Sequence, residues 1–428
     1  MIILDQALAK REAEGKPIRI GLVGAGFAAR GFALQILTRP VGMRIVAISN
    51  RTAEYAKQAY TDALGEVEIK NCSTQSELDA AIKSKTYAIT DDPELLCESA
   101  GIDVIVEATG ETEFGAKVAM SAIKNGKHII LINAELDATL GPILKHYADK
   151  AGVTYAQADG DQPAKLVNLM KEVEMLGFQP LLLGNIKSLI DPRRTPTTQK
   201  AFAEAHWQRP KMITSFADGT KISMEMASLA NGVGFKVGQR GMYGPKCSRV
   251  EEAPGLFDVD ELLKGGLVDY ILGAEPSFGV FVLGYSDHPI RQRYMDVYKM
   301  GQGPVYTFYI PYHLSGLEAP ISVGRAALFS DAALAPKAGL TTEVITLAKR
   351  DLKAGETLDG IGGYTCYGTI DNYEVSVSDN LLPMGLCDGC VLKRDIPMDQ
   401  AITYDDVTLP VDRLADKLRL EQNKLYAR

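Results

Sequence analysis

IRIGLVGAGFAA, residues 18–29, decides the fold. The β-branched run from Ile18 ends at Gly24, and an apolar helical stretch through Leu37 follows at once. Gly24, Gly26 and Ala29 fall in the pattern GxGxxA. The first glycine permits a sharp turn, and the second lets the backbone approach a pyrophosphate with no Cβ in the way. The alanine lets the helix pack closely on the strand. Phe27 and Ala28 complete the turn, where free N–H groups and the positive end of the helix dipole favour an anion. A glycine-rich turn alone is weak evidence, its plain alternative being an ordinary loop. Here a strand precedes it, a helix follows, and MRIVAISN (Met43 to Asn50) completes a βαβ unit, the context of a dinucleotide site.

Outward from that turn, DVIVEATG (Asp103 to Gly110) and HIILIN (His128 to Asn133) are further apolar strands with helical segments between them. Continuous apolar strands separated by helices indicate a parallel sheet covered on both faces, a Rossmann domain over residues 1–158. EATG, ending the fourth strand, should sit at the carboxyl edge of the sheet, where such folds bind ligands. Thr109 and Gly110 are therefore expected at the cofactor, with Asn133 and Glu135 of INAELD facing the same crevice. Helix capping is the competing role for the last two. The second strand ends AISNRT, without the carboxylate that accepts a ribose 2′-OH. Ser49, Asn50 and Arg51 stand there instead, so a 2′-phosphate meets no repulsion and a guanidinium can pair with it. NADP(H) is thus favoured over NAD, unless Arg51 is merely solvated.

Past residue 158 the pattern loosens into an α+β segment, 159–340, expected to hold the substrate and the subunit contacts of a homodimer or homotetramer. It should contain a helix from Pro163 to Leu176, a strand from Pro180 to Ser188 and a helix from Thr220 to Asn231. PVYTFYIPYH (Pro304 to His313) alternates as in a mixed or antiparallel sheet. Residues 341–428 read as a compact β-rich domain. Within it VITLAKRDLKAGETLDG (344–360) is echoed by GCVLKRDIPMDQAITYDDVTL (389–409).

Carbonyl reduction needs a proton donor and groups that stabilise a developing alkoxide. On the helix from Thr220, Lys221, Glu225 and Ser228 fall at i, i+4 and i+7 and share one face, with Asp218 just before it. Lysine and carboxylate in one pocket could polarise a carbonyl and relay a proton, although a solvated ion pair has the same spacing. Lys187 and Asp161 follow segments expected to end at the same crevice. His313, one of 5 histidines, could act as an acid, bind phosphate or fill a core position, and Glu318 lies shortly after. Arg193 and Arg194 in DPRRTPTTQ could clamp an anionic substrate. A divalent metal on Asp161, Glu225 and Glu318 is an optional requirement with no diagnostic spacing.

Composition narrows the field. The 428 residues carry 54 acids against 46 bases, a net charge of −8, a sign that does not attract nucleic acid or anionic membrane, so any basic site must be a local pocket. No run of about 18 apolar residues exists to span a bilayer. The start MIILDQALAKREAEGK lacks the pattern of a signal peptide, and the expectation is a cytoplasmic protein with reduced thiols. Cys387 and Cys390 form a lone CxxC, read as a turn because no second pair completes a metal site.

GLVGAG, DDPELL, DVIVEATG and GKHIILINAE together resemble the cofactor domain of the homoserine dehydrogenase-like oxidoreductases, and the closing segment resembles a SAF domain. Within that group GDQPA (160–164), SFADGTKISMEMASLAN (215–231), PYHLSGLEAPIS (311–322) and AKRDLKAGETLDG are most similar to the reductoisomerase-like proteins. Those convert 1-deoxy-D-xylulose 5-phosphate to 2-C-methyl-D-erythritol 4-phosphate with NADPH. The resemblance implies an NADPH-dependent reductase or reductoisomerase acting on a small sugar- or polyol-derived carbonyl. Two departures bear on substrate. Homoserine dehydrogenases follow their asparagine with lysine, whereas Asn133 precedes Ala134, and Ile310 stands where the reductoisomerase-like proteins carry arginine. A homoserine-type dehydrogenase is the alternative enzyme, and a non-catalytic nucleotide sensor the alternative without chemistry.

Overall fold

A computed structural model describes residues 2–39 and 41–426. The apolar runs become seven parallel strands: β1 (Ile18–Val23), β2 (Met43–Ser49), β3 (Ile69–Asn71), β4 (Tyr87–Thr90), β5 (Val104–Glu107), β6 (His128–Leu131) and β7 (Tyr155–Gln157). Their order is β3-β4-β2-β1-β5-β6-β7. Ile20, Gly21, Leu22 and Val23 of β1 are buried in succession, as a strand covered by helices on both faces requires. The winding reverses between β1 and β5, the switch point at which such sheets bind ligands beyond their carboxyl ends. EATG closes the fifth strand rather than the fourth, because the short β3 and β4 lie between.

A second sheet, in order β11-β10-β8-β9, combines β8 (Gln179–Lys187), β9 (Leu267–Leu272), β10 (Gly279–Tyr285) and β11 (Val305–Ile310). It is mixed, with β8 and β9 parallel and β10 antiparallel to both β8 and β11. The β-rich region holds the antiparallel pairs β12 (Thr342–Ala348) with β13 (Cys366–Asn372), and β14 (Val391–Leu392) with β15 (Val407–Thr408). Its two echoing segments meet at equivalent residues. Leu352 and Ile396 exchange backbone hydrogen bonds of 2.9 and 3.0 Å across an antiparallel bridge.

The compact units do not follow the three consecutive segments expected from sequence. One comprises residues 1–161, 314–335 and 413–428, the other 162–313 and 336–412. The chain's last helix, Leu414–Tyr426, joins the first unit for a physical reason. The Ala134–Ala151 helix contains Pro142, and proline disrupts the helical hydrogen-bond ladder around it. Gln422, fully buried, accepts from Ile143 N at 3.0 Å and donates to Thr139 O at 3.0 Å, inserting its amide into that ladder. The returning segment 314–335 is held by Ser322, whose hydroxyl accepts from Asp159 N and donates to Asp159 Oδ2, both at 2.7 Å.

Candidate functional site

The candidate residues gather in two polar clusters, one in each unit. In the first, Gly24 has φ +103°, and a Cβ there would lie 2.8 Å from the Ala108 carbonyl oxygen, so only glycine lets β1 turn beside β5. Gly26 precedes the Phe27–Thr38 helix with no side-chain cap, and a Cβ on it would meet nothing within 4 Å. The helix start therefore presents uncapped N–H groups to open space, the arrangement a pyrophosphate needs. Phe27 is exposed, Ala28 half-buried, and Ala29 buried against the sheet.

At the ends of β5 and β6 the polar side chains hold one another. Glu107 is fully buried, its carboxyl accepting from Thr109 N at 2.9 Å, the Thr109 hydroxyl, and Asn133 Nδ2 at 2.7 Å. Burial pushes the Glu107 carboxyl up to about 7 despite those donors, so it carries a proton for part of the time at neutral pH. Asn133 Oδ1 accepts from Leu136 N at 3.0 Å, so this residue caps its helix as the competing reading held. Glu135 is buried in that helix's first turn. Gly110 turns the chain at φ +72°. Ser49 is buried at the end of β2, while Asn50 bonds Thr52 O at 2.8 Å and Arg51 is exposed.

One feature of this edge escaped sequence reasoning. A Cβ on Gly316 would approach the Ala28 carbonyl oxygen to 2.3 Å, so the segment Leu314–Glu318 lies directly on the start of the glycine-turn helix. Gly316, within the SGLE tetrapeptide, is the residue that permits this approach. Glu318 accepts from Leu314 N at 3.1 Å on that segment, and Asp161 is buried at the end of the 1–161 stretch.

In the second unit Lys187, at the end of β8, lies 3.9 Å from Glu225 Oε2 on the Thr220–Val233 helix. Both face Gln162, the first residue of the Gln162–Met175 helix. With its amide oriented to satisfy these neighbours, Gln162 donates to Glu225 Oε2 at 2.6 Å and accepts from Lys187 Nζ at 2.9 Å and His313 Nε2 at 2.8 Å. His313 stacks on Phe278 with ring centres 4.3 Å apart, which fixes the plane of its ring. Asn185, two residues before Lys187 on β8, is fully buried and also borders the Gln162 amide. The cluster thus offers an ammonium, an imidazole and two amides around one buried carboxylate. Such a set can polarise a carbonyl oxygen and pass a proton to it. Gln162 and Asn185 were missed in the sequence, although strand alternation puts Asn185 on the same face as Lys187.

Lys221, one turn before Glu225, is half-buried on the same helix, and Ser228 is buried one turn beyond. Asp218 is not in this cluster's bonded network. Its Oδ2 receives Lys349 Nζ at 2.8 Å and its Oδ1 receives Thr220 N at 2.9 Å, a buried ion pair that anchors the β-rich region. Arg193 and Arg194 are committed likewise. Arg193 donates to Lys349 O at 2.7 Å and pairs with Asp399, and Arg194 pairs with Asp191 at 3.0 Å. Arg193 thus docks the β-rich region, while the Arg194 guanidinium pairs within its own loop. Among the described residues no group of three His, Cys, Asp or Glu side chains that could hold a metal ion is found.

Residues 24–157 match the family model "Homoserine dehydrogenase, NAD binding domain", and residues 160–319 match "Oxidoreductase DRL, catalytic domain". The homoserine dehydrogenase of Neisseria gonorrhoeae is 29% identical over 146 residues, 32% of this chain and 28% of that protein. The 1-deoxy-D-xylulose 5-phosphate reductoisomerase of Haemophilus ducreyi is 30% identical over 122 residues, 27% of this chain and 31% of that protein. The chain thus spans less than a third of either curated relative. A solved DOX-P reductoisomerase in complex with NADPH, fosmidomycin and magnesium aligns at 16% identity and TM-score 0.34, over 50% of this chain and 57% of that one. Apo scyllo-inositol dehydrogenase from Lactobacillus casei aligns at 15% identity and TM-score 0.31, over 44% of this chain and 48% of that one.

Proposed function

From an oxidoreductase with an NAD(P)-binding domain of the homoserine dehydrogenase type, we propose an NADPH-dependent reductase of a small sugar- or polyol-derived carbonyl, phosphorylated substrates included. The observation that carries this reading is the cluster of Gln162, Lys187, Glu225 and His313. Bound NADPH supplies the hydride. Lys187 and the Gln162 amide orient the carbonyl oxygen, and the negative charge that develops there is met by the ammonium. Glu225 holds Lys187 in place, and His313, fixed by Phe278, delivers or relays the proton. Arg51 and the absence of an acid at the end of β2 support NADPH over NADH. Lys221 extends the polar face of the same helix and belongs to the substrate's surroundings.

The resemblance to reductoisomerases makes 1-deoxy-D-xylulose 5-phosphate the first compound to try. Ile310, closing β11 where an arginine was expected, argues for a weak reaction with it and a better one with a related polar carbonyl compound. NADPH consumption by the purified chain is to be followed with phosphorylated and free ketoses and aldoses, with and without a divalent metal. The reading expects turnover with at least one of them, lost in Lys187→Met and in Lys221→Ala while NADPH still binds. NADPH binding with no consumption on any carbonyl, or full activity in Lys187→Met, overturns it. A retained efficiency on 1-deoxy-D-xylulose 5-phosphate of about 10⁴ M⁻¹s⁻¹ or more shows that Ile310 is no obstacle.

A further inference from the structure

The amino end of the parallel sheet, opposite the glycine turn, carries a cavity of about 450 Å³ among the first residues of β1, β5 and β6. Arg11, Arg19, Asp103, Lys127, His128 and Ala327 line it. Two arginines, a lysine and a histidine thus face a single carboxylate, in a chain whose net charge is −8.

The carboxylate is already occupied. Asp103 accepts from Arg19 Nε at 3.1 Å, Arg19 Nη2 at 2.6 Å and the Arg19 backbone N–H at 2.9 Å. It has little acceptor capacity left for the other cations. Lys127 Nζ donates to Ser99 O at 2.7 Å and Ile102 O at 2.8 Å, which uses two of its three protons. His128 accepts at Nδ1 from Thr154 N at 3.0 Å, so its neutral ring carries the proton on Nε2, as a donor. Arg11 Nε is buried and has no hydrogen-bond partner among the described residues. Donors therefore outnumber acceptors here, and buried donors without acceptors are rare in folded proteins unless something else supplies the acceptor.

We propose that this cavity is a binding site for a small, multiply charged oxyanion, a phosphate or a polycarboxylate, separate from the cofactor site at the opposite edge of the sheet. An oxyanion presents acceptors to Arg11 Nε, to the third Lys127 proton and to His128 Nε2, and its charge complements the two cations that Asp103 leaves unneutralised. An occupant ties Arg11, in the last turn of the Ile2–Ala13 helix, to the starts of β1 and β6. Binding should accordingly stabilise the first unit against heat.

The test is calorimetric titration of the full chain with inorganic phosphate and, separately, citrate, in chloride buffer of fixed ionic strength. Saturating NADPH blocks the pyrophosphate turn, and a repeat without NADPH keeps the result independent of the cofactor reading. The proposal expects one saturable site for at least one probe, weakened roughly tenfold or more in Arg11→Gln, as loss of a charge-assisted contact implies. Ala327→Glu, which puts a carboxylate in the wall, should abolish it and decides the matter if Arg11→Gln folds poorly. Tighter phosphate than citrate identifies phosphate-bearing metabolites as the source, and the reverse order carboxylates. No saturable binding of either probe, or unchanged binding in both variants, overturns the proposal.

Discussion

Lys349→Met separates an anchoring role for Asp218 from a chemical one. Lys349 is 3% exposed and Asp218 1%. The ammonium places its three protons on Asp218 Oδ2 at 2.8 Å, Gly363 O at 2.8 Å and Arg194 O at 2.9 Å. Methionine fills the volume but leaves a buried carboxylate with the Thr220 N–H as its backbone donor, and two carbonyls lose an ammonium donor. Removing one partner of such a pair costs about 3–5 kcal/mol, because the surviving charge stays buried. Urea unfolding at pH 7 should show a loss of that size. Burial already raises the Asp218 carboxyl, with Lys349 opposing it, so without the lysine its folded-state value climbs further above 3.8. A carboxyl raised in the folded state adds stability that is whole below its unfolded value and is lost as pH rises through the folded one. The deficit of the variant should therefore be smaller at pH 5 than at pH 8. Asp218→Leu combined with Lys349→Met should recover part of the loss, since no charge is left buried. Turnover per folded molecule should match the parent. Unchanged stability would refute the anchor, and a stable protein without turnover would return Asp218 to the chemistry.

Gly24→Ala should abolish cofactor binding and lower the melting temperature, because φ +103° and the Ala108 carbonyl at 2.8 Å leave no place for a methyl group; normal NADPH affinity by fluorescence titration would contradict this. Arg51→Ala should weaken NADPH by about 1–3 kcal/mol and leave NADH unchanged, as calorimetry with both cofactors can establish. The rise of Glu107 from 4.5 to about 7 corresponds to about 3 kcal/mol of stability, present below pH 4.5 and lost as pH climbs through 7. Glu107→Gln should flatten thermal stability across that window, leaving the smaller slope of Asp269, which burial raises to about 6; an unaltered slope would show that Glu107 ionises without strain.

What the sequence discloses depends on how local the physics is. β1, its glycine turn and β2 are legible because a strand, a tight turn and a helix start each leave their mark within a few residues. β3 has three residues, none buried, and so carries no apolar run to recognise. Nor can local pattern reveal that the helix from Leu414 belongs to the first unit. That depends on Gln422 meeting a helix whose hydrogen-bond ladder is interrupted at Pro142, 280 positions earlier. The same holds for the polar residues.

Glu225 and Lys221 share a helix face and are visible by spacing, whereas Lys187 reaches Glu225 only because β8 and that helix both pack on the Gln162–Met175 helix. Asp218 and Arg193 have the composition of a site, and only the fold discloses that Lys349 and Asp399 consume them. The echoed Lys-Arg-Asp motif held the clue, since one of its lysines, Lys349, is buried while the other, Lys393, stays exposed. A buried lysine demands a carboxylate or carbonyl partner. An unsatisfied demand of that kind is a better guide to distant contacts than the residues that happen to look catalytic. The same reasoning turns an excess of donors around Arg11 into a prediction of what binds there.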